Sequence, residues 1–181
     1  MTMLRCTLIT AFLGMWATTV AHAQLTKPIT SEKQFGHYSV DFLEDPLGKN
    51  AKNYARAIMK FAIQTPKAAI VFGEEEMKWI GKDKKYSFLL FPAYIAGNTQ
   101  SQLNSGVKRN DRYSGLLSLF RVYRTLKKHN KEFKTEAVEK LLKLHKEGKL
   151  VQYLLELEKK KPTTLTPKNR KSLQQIRIKR T

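Results

Sequence analysis

The chain has 181 residues and carries 34 lysines and arginines against 15 acidic side chains, a formal net charge of +19, with a single cysteine, Cys6. One cysteine excludes a disulfide framework, so the fold has to be held by ordinary core packing. A chain of this length suffices for one domain that buries about two-thirds of its surface.

The first 23 residues read as a secretory signal. Arg5 precedes an apolar run from Cys6 to Val20, and Ala21-His22-Ala23 then supplies a small-x-small cleavage pattern before Gln24. That run is shorter than the roughly 20 residues that span a bilayer. Its cysteine opens the run instead of ending it, which argues against a lipid anchor. Removal of the segment leaves 158 residues without cysteine. The expected location is outside the cytoplasm, in the periplasm or the extracellular space.

Ser31 and Gln34 have capping-box spacing, and Phe35, Tyr38 and Phe42 follow at helical intervals, predicting a helix over 32–43. The stretch 38–42 also alternates like a strand. Asp45-Pro46 predicts the start of a second helix, with Asp45 as N-cap and Leu47, Ala51, Tyr54, Ile58, Phe61 and Ala62 inward. Thr65-Pro66 stops that helix and can begin another. Residues 67–81 read as helical turns broken at Gly73 and stopped at Gly81, although 69–72 is short enough for a strand. Asp83-Lys84-Lys85 reads as a surface connection.

Residues 86–105 predict the most buried helix, dense in Phe88, Leu89, Leu90, Phe91, Tyr94 and Ile95, with Pro92 either kinking it or marking its true first turn. Gly106 ends it. Asp111 is the predicted cap of a helix from Arg112 to Lys128 that buries Tyr113, Leu116, Leu117, Phe120 and Tyr123. Thr135 caps the next helix, with Ala137, Val138, Leu141, Leu142 and His145, and Gly148 closes it. Leu150, Val151, Leu154 and Leu155 give the last helix an amphipathic face. The architecture predicted is all-α: a compact array of about six to seven antiparallel helices, an irregular bundle or a short α-solenoid-like stretch. Its expected parts are a signal peptide at 1–23, a single helical domain at 24–161 and a flexible basic tail at 162–181, which has six basic residues and no acidic one.

Charge carries the functional signal. Residues 24–107 have a net charge of +3, whereas 108–181 have +15. Arg121, Arg124 and Lys128 share one predicted helix face, opposite much of the expected Tyr113, Leu117 and Phe120 core face; Lys108, Arg109 and Arg112 cluster at the start of that helix, and Lys159-Lys160-Lys161 precede the tail. Clustered cations of this kind bind polyanions in a salt-sensitive way. The expected partner is an anionic envelope component or an acidic protein; nucleic acid suits an exported chain poorly. Asn98 and Gln102 form a polar stripe that could line a ligand cleft or knit the helix to a neighbour through paired amides. His37, His129 and His145 have no metal-ligand spacing, and neither a Gly-rich phosphate loop nor a G-x-S-x-G elbow occurs, so no metal and no cofactor is expected. The leading expectation is a non-catalytic binding module. Catalysis is left open, the alternatives being a hydrolase with a cleft carboxylate near Glu74-Glu75-Glu76 and a structural or assembly protein. The oligomeric state is not legible.

Overall fold

The computed structural model of the protein describes residues 28–72 and 86–159. Among them are six α-helices and no β-strand: α1 (Glu32–Glu44), α2 (Ala51–Gln64), α3 (Ser87–Ser105), α4 (Arg112–His129), α5 (Glu136–Lys146) and α6 (Leu150–Lys159). All six contribute to one contiguous apolar core, from Phe35 and Phe42 on α1 to Leu150 and Leu154 on α6. None of the described helices is long and apolar enough to cross a membrane. The expected signal peptide, the Gly73 break, Glu74–Glu76, the Gly81 stop, Asp83–Lys85, Lys160, Lys161 and the basic tail lie outside the described residues.

Helix α1 starts where its cap predicts. The Ser31 hydroxyl accepts the Gln34 amide at 3.2 Å, and the Gln34 side chain turns back to accept the Thr30 N–H at 2.9 Å. One of the donors that a helix start leaves unpaired is thereby satisfied, and the residue before the cap is tied to the first turn. Contrary to expectation, Asp45-Pro46 does not begin α2. Asp45 still closes α1 through its N–H to the Asp41 carbonyl, and its own carbonyl accepts Gly48 N–H. A further turn from Gly48 to Ala51 delays the helix until Asn50 acts as its cap. Leu47 therefore sits in a turn and is exposed. Phe35 stacks on Phe61 and Tyr38 meets Tyr54, so α1 and α2 run antiparallel.

Thr65 stops α2 in an extended conformation, as the residue before a proline prefers. No helix follows from Pro66. Residues 68–72 have no regular secondary structure, contrary to the helical turns expected there. Their backbone groups find partners elsewhere: Gln102 bonds both the N–H and the C=O of Ala69, and Asn110 does the same for Val71. A primary amide presents the same donor and acceptor pair as a peptide group, so two side chains replace a helix ladder. Phe72 then lies on Phe91 and Tyr94, at ring separations of 4.8 and 5.5 Å.

Helix α3 is the buried centre, packed against α1, α2 and α4. Pro92 occupies its interior, at the sixth position, where one i→i−4 bond is forfeited. Phe88, expected inward, is exposed beneath the Lys52 ammonium, 5.7 Å from the ring centre. The α3–α4 pairing is the most extensive in the molecule and rests on two glycines. A Cβ on Gly97 would collide with the Ser118 hydroxyl and the Ser114 carbonyl; one on Gly115 would come within 2.8 Å of the Tyr94 ring. Small residues at both points let the antiparallel backbones approach closely. Gly148, with φ 70°, ends α5 in the left-handed conformation, while Lys149 N–H bonds the Leu144 carbonyl and Gly148 N–H bonds that of His145.

Candidate anion-binding ridge

The rotation of α4 decides which of its side chains reach solvent. Gly115 has to face Tyr94, and this turns Leu116, Leu119, Phe120, Val122, Tyr123 and Leu126 into the core. Tyr113 and Leu117, expected to be buried, are instead 36% and 38% exposed. Arg112, expected among the exposed cations, is brought inside and is 7% exposed. At about 100° per residue, Tyr113, Arg124, Leu117, Lys128 and Arg121 fall within an arc of about 80°. The basic stripe is thus continuous with Tyr113 and Leu117, not opposite them.

The ridge is held from both sides. The Tyr113 ring rests 6.2 Å from the His145 ring on α5, whose other neighbour is Phe120 at 5.7 Å. Arg121 meets Glu44 at the end of α1 at 3.4 Å, both groups being largely exposed. Such a pair contributes about 0–1 kcal/mol and is readily exchanged for another anion. Arg124 and Lys128 have no ion-pair partner among the described residues. Lys108 and Arg109 are exposed on the loop that enters α4. Of the six cations singled out from sequence, five face solvent and Arg112 does not.

The other candidate residues, Asn98 and Gln102, are fully buried. Gln102 donates to Asn98 Oδ1 at 2.6 Å and grips Ala69 on its far side. Asn98 donates to Asn110 Oδ1 at 2.7 Å and accepts Asp111 N–H at 3.1 Å. Their amides are consumed in tying residues 68–72 and the α4 entry to α3. Asn110 and Asp111 belong to the same network, a link that the helical spacing of 98 and 102 gave no reason to suspect. Asp111 caps α4 through Ser114 N–H and also accepts the hydroxyls of Ser114 and Ser101, at 2.7 and 2.5 Å. Burial acts to raise its carboxyl pKa, but the bonds from Ser101, from the Ser114 amide and hydroxyl and from Tyr113 N–H together hold it below the ordinary value.

A lowered folded pKa means that the charged carboxylate favours the folded state. The stabilisation is present above the unfolded value and lost as pH falls through the folded one. Urea midpoints measured from about pH 5 down to about pH 2 should fall, and Asp111→Asn should make that fall shallower. An unchanged slope in the variant would remove Asp111 from the acid response.

Tyr123 and Glu139 form a second polar cluster, unused by the ridge. Burial foremost pushes the Tyr123 phenol up to about 12, against Thr135 N–H, which lowers it, and with Glu139, which raises it. Its hydroxyl donates to Glu139 at 2.8 Å, and Lys127 completes the carboxylate's shell. The cluster fixes the start of α5 on α4. Among the described residues, no three His, Cys, Asp or Glu side chains gather in a way that could hold a metal ion.

No family model, no curated protein and no solved structure matches this chain. The functional reading therefore rests on the ridge and its charge alone.

Proposed function

We propose that the protein is an exported, non-catalytic helical module that binds an anionic envelope component or acidic protein through the cations of its C-terminal half. One observation carries the reading: Arg121, Arg124 and Lys128 lie along the solvent side of a single rigid helix, preceded by exposed Lys108 and Arg109. A helix already fixed by the core holds the backbone of these cations in place, so only their side chains are ordered when the partner arrives and less conformational entropy is lost. The C-terminal half to which these cations belong has the same sign along the sequence, since residues 108–181 carry a net +15. Export is supported by the Arg5, Cys6–Val20 and Ala21-His22-Ala23 pattern of the leading segment.

The test is retention of envelope components on the immobilised protein, eluted with a salt gradient and identified by mass. Binding should weaken steeply with salt. The triple change Arg121→Ser, Arg124→Ser and Lys128→Ser should reduce the slope of log K against log salt by about two to three, as expected for lost counterion-releasing contacts. Retention that ignores both salt and these substitutions would reject the reading.

A further inference from the structure

We infer that the partner of the α4 ridge is a lipid bilayer surface rich in anionic headgroups, met side-on by the helix. The inference rests on the anion-binding reading and narrows it. The ridge combines two chemistries in one line: Tyr113 and Leu117 at the start of the helix, then Arg121, Arg124 and Lys128 along the rest. From Tyr113 to Lys128 the line runs about 22 Å, at about 1.5 Å per residue. It follows one helix whose opposite face is fixed in the core, an arrangement that can be laid along a surface.

The apolar pair decides between anions. A sulfated glycan or a run of carboxylates offers only short, hydrated stretches of hydrocarbon, so Tyr113 and Leu117 gain far less from it than from an acyl boundary. At a bilayer the headgroups take the guanidinium and ammonium groups, while the acyl boundary takes the leucine and the tyrosine ring. Tyrosine suits that depth, because its ring is apolar and its hydroxyl remains hydrated. Arginine adds paired donors matched to a phosphate. Among the described residues, the carboxylate bonded to the stripe is that of Glu44, which is itself largely exposed and releases Arg121 at little cost.

The experiment uses the protein as it accumulates in its host. Partition is measured onto vesicles of phosphatidylcholine with phosphatidylglycerol, onto phosphatidylcholine alone, and against two soluble polyanions, dextran sulfate and poly-glutamate. Binding is expected on the anionic vesicles and not on the neutral ones. Replacing Arg121, Arg124 and Lys128 by serine should weaken partition about five-fold per cation, roughly 100-fold together. Tyr113→Ser with Leu117→Ser should weaken vesicle binding about five-fold and leave polyanion binding unchanged. Tyr113 and Leu117 are only 36% and 38% exposed, so partition is measured well below each variant's melting temperature, where a folded variant that binds vesicles as tightly as the parent rejects the apolar contribution. Equal binding to vesicles and polyanions, with no response to the Tyr113 and Leu117 changes, overturns the bilayer while the anion-binding reading stands. Failure to bind any of the anions at low salt overturns both.

Discussion

Gly97→Leu is expected to lower stability by about 3 kcal/mol, the upper range for forcing volume into a packed contact. The new side chain has no room: its Cβ alone meets the Ser118 hydroxyl and the backbone carbonyl of Ser114. A carbonyl on a neighbouring helix cannot swing aside as a flexible side chain can, so α3 and α4 have to separate. Because these helices form the largest pairing in the core, the separation is felt throughout. At roughly 3–5 °C per kcal/mol for a domain of this size, melting should drop by about 10–15 °C. Gly36→Ala gives the contrast within the same molecule. Its added Cβ would meet only the end of the Gln100 side chain, at 3.3 Å. Alanine in place of a helical glycine gains up to about 1 kcal/mol. Gly36→Ala should therefore be neutral or stabilising where Gly97→Ala destabilises. If both alanine variants melt alike, the close crossing at Gly97 is not what sets the α3–α4 distance.

Asn98→Leu should cost a similar amount, about 3 kcal/mol, through a different mechanism. Leucine fills the volume but removes the acceptor used by Gln102 and by Asp111 N–H, and the donor used by Asn110. Each buried group left without its partner costs about 1–3 kcal/mol, reduced where another bond remains. Gln102 keeps Ala69 in this variant, yet the two amides that hold residues 68–72 lose the side chain that orients them. Amide hydrogen exchange reads this directly. Ala69 and Val71 N–H should exchange faster by more than the global loss of stability explains, while core amides such as Leu119 follow the global change. Equal changes at all three positions would mean that Asn98 only fills space.

The two predictions fall on features of unequal visibility in the sequence. The Ser31 cap of α1, the Asp111 cap of α4 and the Gly106 and Gly148 stops are local: each is settled within a few residues by which backbone groups need a partner and which residue tolerates positive φ. They were readable for that reason. Asp45-Pro46 has the same local signature and still does not begin a helix, because Asp45 remains engaged with the last turn of α1. Residues 68–72 were unreadable for a stronger reason. Their hydrogen-bond partners are Gln102 and Asn110, more than 30 positions away, and no window around residue 70 contains them.

For the ridge, the spacing of Arg121, Arg124 and Lys128 was visible from the start. Their kinship with Tyr113 and Leu117 was also present in that spacing, but eight apolar and aromatic residues of α4 competed for the core side. Hydrophobicity alone ranks Tyr113 and Leu117 above Gly115 and Arg112. Packing ranks them the other way, because only glycine fits against the Tyr94 ring.

From sequence alone came the all-helical character, the positions of most helix ends, the reliance on packing without a disulfide framework and the concentration of positive charge beyond residue 107. These depend on composition and on interactions within one or two turns. The tertiary structure decided how far α4 is rotated, which cation is buried and how residues 68–72 satisfy their backbone. Each depends on what another helix presents across the contact, and the close approach of Gly115 to the Tyr94 ring turned the apolar and basic side chains of α4 into one exposed line.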